Sequence, residues 1–173
     1  MNEIRPLSAN ERIKQNSDFL RGTIAHGLGV PETGAIADDD QQLTKFHGIY
    51  LQDDRDLRKT GKKHIMMIRG RIPGGVMTPR QWLTFDDLAT IYGNNTLRLT
   101  TRQSIQFHGV LKSGLGALVR KINESLLSTL AACGDVNRNV TASPTPAYTP
   151  ARAQVYADAL RIAEALAPLT PAY

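Results

Sequence analysis

The sequence predicts an α+β fold of β-α-β-β-α-β order over residues 64–142, and three observations carry that prediction. From His64 onward the spacing of apolar residues alternates between the two-residue period of strands and the three-to-four-residue period of helices. Turn and cap residues stand where the period changes, and the blocks have the lengths that strands and helices need.

His64 to Ile72 reads as the first strand, closed by Pro73-Gly74-Gly75, a turn that neither a strand nor a helix continues through. Thr78 offers an N-cap with Pro79 at the first helical position. Trp82, Phe85, Leu88, Ala89 and Tyr92 then fall on one helical face before Gly93 ends the run. Thr96–Thr100 and Ser104–Leu111 are short strands joined around Thr101-Arg102-Gln103. The second helix carries Leu118, Ile122, Leu126 and Leu130 at four-residue spacing and is expected to end near Cys133-Gly134. A last strand is predicted over Val136 to Thr141. This order is the ferredoxin-like arrangement, two helices on one face of a four-stranded antiparallel sheet whose other face stays open.

The flanks are less regular. Residues 1–63 predict an irregular N-terminal extension with a helix, a Gly-rich stretch around Gly27 and Gly29, and a strand around Leu43–Leu51. Residues 64–142 form the half-domain. Ser143 to Pro150 reads as a linker, and Thr149-Pro150 starts a helix bearing Val155, Ala159, Ile162 and Leu166. That helix brings no sheet of its own, so residues 143–173, closing on Pro171-Ala172-Tyr173, are expected to be the start of a truncated second α+β domain.

With 173 residues and 41% hydrophobic content the chain is long enough to bury a core. It lacks an apolar run of roughly 18–20 residues and a signal-peptide pattern, which predicts no membrane partner and a cytoplasmic location. The single cysteine, Cys133, forms no internal disulfide and cannot alone hold a zinc ion or an iron–sulfur cluster, so no metal site is expected in this chain. His26, His47 and His64 have no metal-ligand spacing and read as structural. The acidic run Asp53, Asp54 and Asp56 reads as a loop-ordering, salt-bridging element. A formal charge of +5 favours an anionic partner.

Strand parity says where that charge gathers. Met66, Ile68, Ile72, Leu97, Leu99, Ile105 and Phe107 share the helix-covered side. The opposite parity holds Arg69, Arg71, Arg98, Thr100, Arg102, Ser104, Gln106 and His108. Arg138 shares the parity of Val136 and Val140 and joins this face only if the strand end turns it. A polar open face is ordinary. Several guanidinium groups side by side are less so, since they repel one another unless anions lie between them. RNA-binding modules use the same strand order but stack bases on aromatic rings of the middle strands. Here Phe107 has the helix-facing parity, so no nucleic-acid partner is expected.

Several blocks resemble the haemoprotein subunit of assimilatory sulfite reductase, in the sirohaem nitrite/sulfite reductase family. They are Phe46-His47-Gly48-Ile49-Tyr50, Gln52-Asp53-Asp54-Arg55-Asp56, Arg71-Ile72-Pro73-Gly74-Gly75 and Gln81-Trp82. Leu97-Arg98-Leu99-Thr100-Thr101-Arg102-Gln103, Gln106-Phe107-His108-Gly109 and Cys133-Gly134-Asp135-Val136-Asn137-Arg138-Asn139-Val140 continue the series in the family's order. The resemblance implies six-electron reduction of sulfite to sulfide on sirohaem, fed by a [4Fe-4S] cluster. It implies that Arg69 and Arg138 line the substrate side as catalytic residues. It gives Arg98 and Arg102 to the sirohaem carboxylates, with His108, Gln106 and Arg71 as further cofactor contacts. The cluster cysteines and the lysines of the substrate pocket belong to later parts of such enzymes. The chain is therefore expected to be an amino-terminal fragment, inactive by itself. The implied partners are sulfite and an electron donor, either a flavoprotein using NADPH or ferredoxin. The related ferredoxin-dependent nitrite reductase is the alternative activity.

Overall fold

A computed structural model of the chain describes residues 6–53, 61, 63–134 and 136–170. Asp54, Asp56 and the closing Pro171-Ala172-Tyr173 lie outside the described residues. The element order is α1 (Ala9–Gln15), α2 (Ile24–Leu28), α3 (Asp38–Phe46), β1 (Ile49–Asp53), β2 (His64–Arg69), α4 (Pro79–Tyr92), β3 (Leu97–Leu99), β4 (Ile105–Val110), α5 (Lys112–Glu124) and α6 (Pro150–Ala165). The four strands form one antiparallel sheet in the order β1-β2-β4-β3. The fold is α+β and ferredoxin-like, as the periodicity predicts.

The core lies between the sheet and helices α4 and α5. Met66 and Ile68 of β2, Ile105, Phe107 and Val110 of β4, Phe85 and Leu88 of α4, and Leu115, Leu118 and Ile122 of α5 are buried together. The Phe85 and Phe107 rings meet at 5.1 Å between centroids, tilted by 41°. Helix α4 starts where its sequence directs. The Thr78 side chain accepts from the Gln81 N–H, Gln81 reaches back to the Thr78 N–H, and Pro79 occupies the first turn.

Four expectations are corrected. Val136 to Thr141 is not a strand; the sheet edge beside β2 is filled by β1, with Ile49 opposite Ile68 and Tyr50 opposite Met67. The reason lies in Asn139, whose side chain bonds neighbouring backbone in place of a strand ladder. The strand expected around Leu43–Leu51 is instead the end of α3 followed by β1. Helix α5 stops at Glu124, before Leu126 and Leu130: Leu126 has φ +63° and is 89% exposed, so the leucine repeat outruns the helix. Leu99, expected beneath a helix, is exposed on the short edge strand β3.

A bulge shapes β4. Met66 pairs with Val110 but Ile68 pairs with Phe107, so two residues of β2 span three of β4. Gly109, at φ +74°, takes the left-handed conformation this needs. The extra residue leaves His108 outside the core and returns Val110 to it. Among the described residues no helix is long and apolar enough to cross a membrane.

Candidate functional site

The site is a row of side chains across three strands. Arg69 of β2 stands opposite Gln106 of β4, and Gln106 stands opposite Arg98 of β3, so alternate-residue geometry puts all three on the side away from α4 and α5. The bulge keeps His108 beside them. With its amide oxygen turned to the arginine, Gln106 accepts from Arg69 Nε at 2.9 Å and from Nη2, while its NH2 donates to His108 Nε2 at 3.2 Å. This orientation satisfies both neighbours, whereas the reverse would aim the amide NH2 at a guanidinium that offers only donors.

Arg138 joins the group from the irregular segment after α5. Its Nε donates to the Gly134 carbonyl at 3.0 Å. Because that segment is not a strand, the parity that set Arg138 apart does not apply. Arg138 and Arg69 both act on the buried Cys133 thiol. Burial pushes the thiol up from the usual cysteine value, and the two guanidinium groups and a hydrogen bond from Tyr50 draw it back. Burial first, then the positive charges of Arg98 and Arg69, hold His108 below the ordinary histidine value. Among the described residues, no carboxylate pairs with Arg69, Arg98, Arg102 or Arg138. What this surface offers is donors and positive charge without the matching anions.

Arg102 sits at the exposed β3–β4 turn. Its carbonyl accepts from Asn139 Nδ2 at 2.7 Å, and Gln103 beside it, at φ +53°, clasps the Ala142 backbone at 2.8 and 2.9 Å. Arg71 lies elsewhere. β2 ends at Arg69, Gly70 follows, and the 8% exposed Arg71 lines a groove of about 620 Å³ with Tyr156, Leu160 and Ala163 of α6. Its guanidinium donates to the Ala163 carbonyl near the end of that helix. Ser104 turns inward and donates to the Gly70 carbonyl.

Sequence reasoning missed Tyr50 and the part played by Cys133. The signal for Tyr50 was present, since its register with Met67 gives it the parity of Arg69, but the strand bounds were set too early. Cys133 could not be placed beside two arginines without the path of the chain after α5. His47 is buried, with Nε2 donating to the Leu20 carbonyl at 2.7 Å. Among the described residues no three His, Cys, Asp or Glu side chains are grouped so as to hold a metal ion.

Comparison with known proteins gives this arrangement its context. Residues 58–125 match the nitrite/sulfite reductase ferredoxin-like half domain. The chain is 56% identical over 173 residues to the sulfite reductase [NADPH] hemoprotein beta-component of Methylobacterium sp. (strain 4-46), with 96% of this chain and 29% of that protein covered. It is 51% identical to the sulfite reductase [NADPH] subunit beta of Schizosaccharomyces pombe, covering all of this chain and 12% of that protein. The Mycobacterium tuberculosis NirA structure superposes with a TM-score of 0.70 at 25% identity, over 81% of this chain and 28% of that one. The chain thus spans less than a third of the proteins it matches. Over residues 58–125 it carries the nitrite/sulfite reductase ferredoxin-like half domain, and along nearly its whole length it is similar to sulfite reductase hemoprotein beta subunits.

Proposed function

We propose that this chain supplies part of the sirohaem and sulfite site of a sulfite reductase haemoprotein, and that the whole protein reduces sulfite to sulfide for sulfur assimilation in the cytoplasm. The observation that carries the proposal is the row of Arg98, Gln106, Arg69 and His108 with Arg138 beside it, rich in donors and, among the described residues, without a paired carboxylate. Such a surface fits a macrocycle bearing many carboxylates together with a small oxyanion. Arg98 and Arg102 would hold sirohaem carboxylates, with His108 and Gln106 against the cofactor. Arg69 and Arg138 would face sulfite. Arg71, committed to the Ala163 carbonyl, has no part in this reading.

Bound sirohaem would supply the iron at which sulfite is reduced and, with a [4Fe-4S] cluster, the path for its electrons. Bisulfite, six electrons and six protons give hydrosulfide and three waters. The work of this chain is electrostatic: two fixed guanidinium groups draw the anion in, orient its oxygens by paired hydrogen bonds and offset charge that builds as electrons arrive. Cys133 is the sole cysteine, so the cluster's ligands would come from the remainder of a full-length protein. The names of the relatives favour an NADPH-linked donor.

The test is a separation of roles in a full-length protein carrying this segment. Each charge-assisted hydrogen bond is worth about 1.5–3 kcal/mol, roughly ten- to a hundredfold in an equilibrium. Arg138→Ala should therefore weaken sulfite turnover by roughly that factor while keeping haem absorbance; Arg98→Ala and Arg102→Ala should mainly lower haem content. Loss of haem in Arg138→Ala with haem and activity kept in Arg102→Ala would refute the division. The 173-residue chain alone should not oxidise reduced methyl viologen on addition of sulfite. The half-domain match is shared with nitrite reductases, and a strong preference for nitrite over sulfite in the same assay would move the reading to that activity.

A further inference from the structure

We propose that Gln106, besides lying against the cofactor, is a positioning residue: its amide oxygen fixes the Arg69 guanidinium and its amide NH2 holds His108 in the Nδ1–H form. The consequence for sulfite rests on the function proposed above, whereas the positioning itself is a property of this chain.

The geometry engages both ends of the Gln106 amide. One amide oxygen receives both Arg69 Nε, at 2.9 Å, and Nη2, a two-point grip that fixes the plane of the guanidinium and not only its location. In this orientation the amide NH2 donates to His108 Nε2 at 3.2 Å, which makes that nitrogen the acceptor and puts the ring proton on Nδ1. The surroundings agree. The charged groups acting on His108 are Arg98 from β3 and Arg69 from β2, both positive, and with burial they favour the neutral ring, in which one nitrogen is free to accept. Gln106 is also held by the sheet itself, paired on one side with Arg69 and on the other with Arg98.

An uncharged amide suits this place for a physical reason. A carboxylate would neutralise Arg69, which the proposed reaction needs as a positive charge, and would favour protonation of His108. An apolar side chain would release both neighbours. Glutamine orients the guanidinium without spending its charge, and links its plane to the tautomer of the histidine.

The experiment uses the 15N-labelled 173-residue chain, with four histidines told apart by the His108→Gln spectrum. In the unsubstituted chain, long-range proton–nitrogen correlations should show His108 protonated on Nδ1 with Nε2 bare, and the Arg69 Nε–H should exchange slowly. Gln106→Glu should move the His108 proton to Nε2 and raise its titration midpoint by about one pH unit or more, a tenfold gain in proton affinity. Gln106→Leu should abolish the tautomer preference and speed Arg69 Nε–H exchange, with backbone amide shifts away from β2–β4 unchanged. His108 carrying its proton on Nε2 in the unsubstituted chain overturns the proposal without any variant. So does a Gln106→Leu spectrum with both signatures intact. Sirohaem titration into the same samples tests the function separately: failure to bind haem leaves the positioning result standing.

Discussion

His47 and His108 are driven the same way by different surroundings. Burial lowers His47, against a partial lift from its bond to the Leu20 carbonyl, and burial with two arginines lowers His108. A histidine whose folded value is depressed binds its proton more tightly in the unfolded chain, so its contribution to stability is full above about pH 6.5 and falls away as pH drops through that value. The urea midpoint should therefore be lower near about pH 5.5 than near about pH 7.5. His47→Gln should narrow the difference, and an equal difference in both chains would show that His47 is not the group responsible. Much of the site was legible at this scale. Alternation placed Arg69, Arg98, Gln106 and His108 on one surface, because strand parity depends only on local geometry. It failed for Arg71, since β2 ends before it and Gly70 breaks the alternation. Arg138 could not be placed by alternation at all; it lies in a segment held by side-chain bonds.

At the scale of elements, Asn139 does the work expected of a strand. Its Oδ1 accepts from the Ile72 N–H at 2.8 Å, and its Nδ2 donates to the carbonyls of Ile72 at 2.8 Å, Arg102 at 2.7 Å and Gln103 at 3.2 Å. The Gly74 N–H then reaches the Val140 carbonyl at 2.8 Å. One buried side chain thus ties the segment after β2 to the β3–β4 turn that carries Arg102. Asn139→Ala should cost on the order of 3 kcal/mol in urea unfolding, because several buried polar groups lose their partner at once. Asn139→Asp should not rescue it, since a carboxylate keeps the acceptor but loses every donor. Thr78→Ala, which removes only one half of the α4 capping box, should cost about 1 kcal/mol. Equal losses in Asn139→Ala and Thr78→Ala would mean that the clasp is no stronger than an ordinary helix cap. Periodicity could not reveal the clasp: Val136, Arg138 and Val140 alternate as a strand would, and only the three-dimensional path shows which backbone Asn139 meets.

Across the whole molecule, the half-domain match at residues 58–125 contains β2, β3 and β4, while the fourth strand, β1, precedes it. The segment before β1 must therefore be anchored to the body, and Lys112 supplies one anchor. It is the first residue of α5, where the helix dipole disfavours a cation. Yet its side chain is buried, and Nζ donates to the carbonyls of Gly27 at 2.9 Å, Val30 at 2.7 Å and Ala35 at 3.4 Å. Three carbonyl dipoles aimed at one ammonium outweigh the unfavourable helix end, and they join the stretch after α2 to the helix that covers the sheet. Lys112→Met keeps the length and apolar stem of the side chain but leaves those carbonyls without a donor. The expected loss is about 2–3 kcal/mol in urea unfolding, the range for bonds to a charged group and for stranded acceptors. Hydrogen exchange should speed up first in residues 24–36 and the opening turn of α5, with the amides of β2 and β4 protected as before. Uniform acceleration through β2 and β4 would instead show that the segment before β1 and the sheet unfold as one unit, with Lys112 as a contributor to global stability and not a local anchor.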